Sequence, residues 1–121
     1  KELEYWKAIN VEPSGDNYIS AGKGMGDVLL MASEMQAYTL TDRATYLSMK
    51  SNLDLDIIVE GDALMFNQYG VIAVNPDKNS LVNNAGANAF IEWILSKETQ
   101  ELISKFGVDE FGQSLFYPNA K

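Results

Sequence analysis

Two short stretches carry groups suited to holding an anion. Gly24-Met25-Gly26 stands where a helix is expected to open. A helix start presents unsatisfied backbone N–H groups and the positive end of the helix dipole. Thr39, Thr41 and Arg43 lie a little further along. Threonine hydroxyls donate to oxyanion oxygens without adding a full charge, and the planar guanidinium binds oxygen pairs. Each group also has a plainer reading, which stays open at this point. The glycines are equally those of a loop-to-helix junction. Thr39 can simply pack in a sheet, Thr41 can cap the next helix, and Arg43 can form a bracing ion pair with Asp42. A third group, Asp54, Asp56, Glu60 and Asp62, suggests a hard-cation site. Its spacing lacks a calcium-loop pattern, and alternation along a strand sends neighbours to opposite faces, so a solvated strand edge is expected.

The chain contains no cysteine and no histidine. That removes thiol chemistry, disulfides, the usual zinc sites and the commonest general base near neutral pH. The formal net charge of −8 disfavours binding to phosphate backbones and anionic membrane surfaces. A small oxyanion is still admissible, because it feels short-range donors more than remote screened charge. With 46% hydrophobic and 21% charged residues, the composition is that of a folded chain. Its 121 residues suffice for one domain or about half of a two-lobed protein. No apolar run is long enough to span a bilayer. Helical periodicity starts almost at Lys1, so the sequence reads as a piece of a longer polypeptide.

The elements that must position these residues follow from periodicity and punctuation. Leu3, Trp6 and Ile9 predict the end of an amphipathic helix before Pro13. A loop anchored by Tyr18 and Ile19 leads to a second helix with Val28, Leu29, Ala32 and Met35 on one face. Residues 37–40 predict a short strand, and Thr41-Asp42 caps a helix through Tyr46 and Met49. The β-branched runs 54–60 and 69–74 predict strands, separated by too many residues for a tight hairpin. Leu81, Ala85, Ala89, Phe90, Trp93 and Ile94 predict a long helix, which Ser96 restarts and Gly107 stops. Residues 115–118 predict a last extended strand. Trp6, Phe90, Trp93 and Phe106 fall at helical spacings and are expected in the core. Strands alternating with helices predict an α/β architecture.

Four stretches in this order resemble the tungstate-binding proteins of ABC importers. They are residues 22–26 (GKGMG), 37–45 (AYTLTDRAT), 59–62 with 66–72 (VEGD and FNQYGVI), and 116–120 (FYPNA). The run from Ala89 through Gly107 is similar to the C-terminal helix pair of the wider binding-protein group. The resemblance covers nearly the whole chain.

The resemblance implies a type II periplasmic-binding-protein fold, with the carboxy-terminal portion present here. Residues 1–70 would form a second-lobe α/β segment. Residues 71–121 would form the hinge return and C-terminal helices packing on the first lobe, with strands flanking Gly61 to Gln68 crossing between lobes. The implied function is capture of tungstate, or a molybdate-like tetrahedral oxyanion, in an interlobe cleft and delivery to a membrane permease. A sensor domain on the same fold, or a carrier for another oxyanion, is the alternative. The resemblance further implies no enzyme activity, no cofactor apart from the oxyanion ligand, no nucleic-acid partner, a monomeric full-length protein, and a periplasmic or membrane-anchored extracellular location. The family's best-known oxyanion residues occupy a threonine-rich run near the mature N-terminus and an Arg-Gly-Asp-Asp-Ser-Gly-Thr stretch. This sequence has neither. Gly24, Met25, Gly26, Thr39, Thr41 and Arg43 are therefore the candidates for a wall of the cleft.

Overall fold

Helices account for all the regular structure of this computed structural model, which describes residues 1–120. The chain divides into two units, Lys1–Phe66 and Asn67–Lys121.

In the first unit, α1 (Glu2–Ala8) begins with Glu2 and Glu4, which favour the positive end of its dipole, and ends with Lys7. The Trp6 indole N–H donates to Glu2 at 2.8 Å, and the Tyr5 hydroxyl donates to the Leu64 carbonyl at 2.9 Å. The second contact joins residues far apart in sequence. α2 (Met25–Met35) follows Gly24, and α3 (Arg43–Met49) follows Asp42. The small core of this unit lies where these two helices pack, with Leu29, Ala32 and Tyr46 buried. Gly26 permits the approach: a Cβ added there would stand 3.2 Å from the Met49 sulfur. Tyr46 keeps its hydroxyl satisfied by donating to the Leu55 carbonyl at 2.9 Å. Ser33 Oγ accepts from the Asp54 N–H at 2.7 Å. These two bonds draw the chain after α3 back onto α2 and α3.

In the second unit, α4 (Asn84–Leu95) and α5 (Lys97–Lys105) meet at Ser96, whose hydroxyl accepts from the Thr99 N–H. This is the restart that serine at that position predicts. Thr99 is buried, and the Gln100 side chain caps the Ile94 carbonyl at 2.8 Å. Gly107 then turns the chain at φ 89°, and α6 (Val108–Phe111) leads to a return in which the Leu115 N–H donates to the Phe106 carbonyl at 3.0 Å. Phe106, Phe116 and Tyr69 form a row of ring contacts, each pair 6.0 Å apart between centroids.

The segments 37–40, 54–60, 69–74 and 115–118 lie outside every helix, yet none forms a β-ladder among the described residues. β-Branched composition meets the local preference of a strand, whereas the ladder requires a second segment at about 4.8 Å. Two expectations, both on burial, are corrected. Phe90, Trp93 and Phe106 are all more than half exposed, so helical spacing assembled an apolar stripe that the unit covers only in part, through Phe116 against Phe106. Met35 is likewise more than half exposed, at the end of α2 beyond buried Leu29 and Ala32.

Leu29 is fully buried between α2 and α3. Leu29→Ala should lower stability by about 3 kcal/mol in urea titrations followed by circular dichroism. Gly107→Ala places a Cβ against the Leu115 side chain at a positive φ, and should cost about 2 kcal/mol.

Candidate functional site

The two stretches singled out for anion chemistry come together in the first unit. Asp42 sits at the N-cap of α3 with extended backbone, φ −80° and ψ 155°. Its carboxylate accepts from the Thr45 N–H at 2.8 Å and from the Thr45 hydroxyl at 2.7 Å. Its own N–H donates to the Met25 sulfur at 3.2 Å. The first residue of α2 therefore touches the cap of α3, and the starts of two helices are neighbours. Gly24, the N-cap of α2, has extended backbone and no side chain to fill the helix mouth. Val28 N–H donates to its carbonyl at 3.0 Å, as an ordinary first helical turn requires.

Five of the six candidate residues are joined in this way. Gly24, Met25 and Gly26 lie at one helix start, and Thr41 and Arg43 flank Asp42 at the other. The Thr41 hydroxyl donates to the Asp42 carbonyl at 3.2 Å. The capping group is thus Asp42, with Thr41 bracing the residue beside it. Thr39 is exposed on the connection between α2 and α3. Gly26 is engaged by the packing of α2 on α3 described above, which is a structural use of that position.

Arg43 pairs with Glu60 at 3.4 Å, across a span of 17 residues. Asp42, the neighbour expected to hold it, spends both carboxylate oxygens on Thr45. An N-cap side chain turns back over the helix mouth, which is where the Asp42 carboxylate is engaged. The pair is partly solvated, with the Arg43 side chain 31% and the Glu60 side chain 61% exposed, so its contribution is about 1 kcal/mol or less. Asp62 caps its own short turn by accepting from the Leu64 N–H at 2.7 Å. Two of the four carboxylates that suggested a cation site therefore have local partners. Among the described residues, no group of three or more Asp or Glu side chains is placed to hold a metal ion.

Two grooves also mark the surface, and neither includes any of the six candidates. One, of about 420 Å³, is lined chiefly by Leu3, Trp6, Val11 and Pro13 in the first unit. The other, of about 280 Å³, is lined by Trp93, Leu102, Ile103, Phe106 and Phe116 and their neighbours in the second. Both are apolar and suit polypeptide or packing contacts better than a dianion. Sequence reading missed Glu60 and Met25 as contact partners of the α3 cap region. A carboxylate alternating with apolar residues gives no sign of which cation it will meet.

The profile of a PBP superfamily domain matches residues 1–98. The chain belongs to this superfamily. It is 62% identical over 120 residues to the tungstate-binding protein TupA of Peptoclostridium acidaminophilum, a match covering 99% of this chain and 42% of that protein. It is 46% identical to a putative ABC transporter anion-binding protein of Haloferax volcanii, over 99% of this chain and 36% of that one. Among solved structures, it is similar to the tungstate ABC transporter protein of Geobacter sulfurreducens, with a TM-score of 0.76 and 43% identity, covering 87% of this chain and 44% of that chain. The chain thus spans less than half the length of the curated relatives it matches.

Replacing Asp42 by Ala should cost 1–2 kcal/mol, roughly the value of a good cap, while Asp42→Asn should cost less because it keeps one acceptor for the Thr45 N–H. Glu60→Gln should change stability by under about 1 kcal/mol, with the difference vanishing in high salt. Thermal denaturation at low and high ionic strength measures all three.

Proposed function

We propose that this chain is the carboxy-terminal part of the substrate-binding component of an ABC importer that captures tungstate. The observation that carries the reading is 62% identity, along 99% of the chain, to a protein named for tungstate binding. The anion-binding relative from Haloferax volcanii supports the same ligand class. Function here is reversible binding with no bond chemistry. The absence of histidine and cysteine from the chain is in keeping with that.

Gly24, Met25, Gly26, Thr41 and Arg43 form one wall of the binding cleft in this proposal, with Thr39 beside them. The adjoining helix starts direct backbone N–H groups and dipole ends toward one surface. The Arg43 guanidinium, which pairs with Glu60 at 3.4 Å, adds a positive charge beside the α3 cap. Neither stretch can enclose a tetrahedral dianion unaided, so the remaining donors come from the part of the protein that the relatives possess beyond this alignment. Tungstate is the ligand, no further cofactor is needed, and the permease of the importer is the partner. Such a protein works outside the cytoplasmic membrane.

The test is a hybrid in which this chain replaces the matching segment of the Peptoclostridium acidaminophilum relative. At tungstate concentrations about a hundredfold above Kd, stabilisation should be about 2.7 kcal/mol, a rise of roughly 5–10 °C in Tm for a protein of that size. The 121-residue chain alone should show a shift below about 1 °C with tungstate, molybdate, sulfate or phosphate. A parent relative that responds to tungstate while the hybrid does not would overturn the reading. In the hybrid, Thr39→Val and Arg43→Lys should each weaken tungstate binding about tenfold, roughly the loss of one hydrogen bond to a charged ligand. Unchanged affinity would remove that residue from the cleft wall.

A further inference from the structure

With no cysteine in the chain, its five methionines hold all of its sulfur. In such a protein the thioethers are what a peroxide attacks first, and oxidation turns a flexible apolar side chain into a polar, chiral sulfoxide. Exposure sorts the five. Met35 is 54% and Met25 43% exposed, while Met31, Met49 and Met65 are half-buried. Met35 stands at the last position of α2.

Met25 differs from Met35 because its sulfur is part of the joint between two helices. It is the first residue of α2, and its sulfur accepts the N–H of Asp42, the cap of α3, at 3.2 Å. A second thioether lies at the same joint. A Cβ built on Gly26 would stand 3.2 Å from the Met49 sulfur and 3.7 Å from its methyl carbon, so this side chain too lies close against the start of α2.

We propose that Met25 is an oxidation site, at which a peroxide makes the sulfoxide and thereby releases the start of α2 from the cap of α3. One sulfur lone pair accepts the Asp42 N–H, which leaves the other to attack. Attack on a peroxide oxygen forms the S–O bond, breaks the O–O bond and expels hydroxide, which takes the proton from the transferred oxygen and leaves as water. Sulfur loses two electrons and the peroxide gains them.

Either epimer of the product breaks the joint. With the new oxygen facing Asp42, an N–H···O bond alone needs about 2.9 Å, nearly the whole 3.2 Å between nitrogen and sulfur, so the sulfur has to retreat by most of an S–O bond. With the oxygen facing away, the sulfur bears partial positive charge and no longer accepts. Water then takes the Asp42 N–H, since the contact lies at the surface. The step is reversible, because methionine sulfoxide reductases return each epimer to the thioether. Met49, half-buried, is the slower second site. Five of the six cleft-wall candidates meet at this joint, but the proposal concerns the joint itself and does not depend on the identity of the ligand.

The test treats the 121-residue chain, Met25→Leu and Met35→Leu with hydrogen peroxide, at doses that leave Met49 intact. Peptide mass spectrometry follows each methionine, and hydrogen exchange follows the Asp42 amide. Leucine fills a similar volume without a sulfur acceptor. Met25 should oxidise at a rate near that of Met35 and several-fold faster than Met31 or Met65. In Met35→Leu, exchange at Asp42 should rise about fivefold once Met25 is oxidised, the loss of roughly one neutral hydrogen bond, and should return to its starting rate after treatment with methionine sulfoxide reductase. In Met25→Leu it should be raised from the outset and should not respond to peroxide. Unchanged exchange at Asp42 in Met35→Leu with Met25 fully oxidised would overturn the release. Oxidation of Met25 no faster than that of Met65 would refute the site, and a rise in Met25→Leu equal to that of the unsubstituted chain would assign the effect to another methionine and sink the proposal.

Discussion

Asp42 holds the start of α3 with both carboxylate oxygens while its own N–H reaches the Met25 sulfur at the start of α2. Two of its bonds close the first turn of α3, and the third ties that turn to the start of α2. Leu29 and Ala32 are buried from one helix and Tyr46 from the other. The Tyr46 hydroxyl then recruits the Leu55 carbonyl, and Ser33 recruits the Asp54 N–H, so the chain beyond α3 is anchored to the same small core. Five of the six candidate residues owe their proximity to this arrangement. A polar cap is therefore the organising contact of this unit, with the hydrophobic contribution confined to three side chains.

Such a small core limits what the chain can stabilise by itself. Burial of apolar surface is the principal favourable contribution to folding, at about 25 cal/mol per Å², and here large side chains such as Phe90, Trp93 and Phe106 remain more than half exposed. The helices nevertheless carry complete local instructions. Asn83, Ser96 and Asp42 each accept a backbone N–H from their own first turn, and Gly107 and Gly112 close the last turns with positive φ. Well-formed helices surround a core of few fully buried side chains, and the chain spans less than half the length of the relatives it matches. Membership of the PBP superfamily and similarity to a solved structure more than twice as long are consistent with that.

The candidate anion wall follows the same logic. Backbone N–H groups at helix starts are inexpensive donors because they are unsatisfied in any helix, and an aspartate cap fixes their direction. Arg43 pairs with Glu60 at 3.4 Å, with 31% of its own side chain and 61% of that of Glu60 exposed. In the proposed reading these features contribute to a ligand cage. They do not by themselves make a cage, which requires donors from several directions.

By itself the sequence determined the five longer helices and most of their caps and stops, while α6 went unread and Leu81, assigned to the α4 face, lies before that helix. Asp42, Ser96 and Gly107 act within three or four residues of where they stand, because helical hydrogen bonds and caps are local. It also carried the family resemblance, which rests on residue order and needs no coordinates. Tertiary structure decided what depends on distant partners. It paired Arg43 with Glu60 and not Asp42, brought Met25 against the α3 cap, and used Gly26 for close packing against Met49. It left 54–60 and 69–74 without a ladder and the aromatic stripe of α4 and α5 covered only in part. The physical reason is one of range. A helix satisfies its backbone within itself, whereas a strand, an ion pair and a core position each wait for a partner whose location the local sequence does not encode.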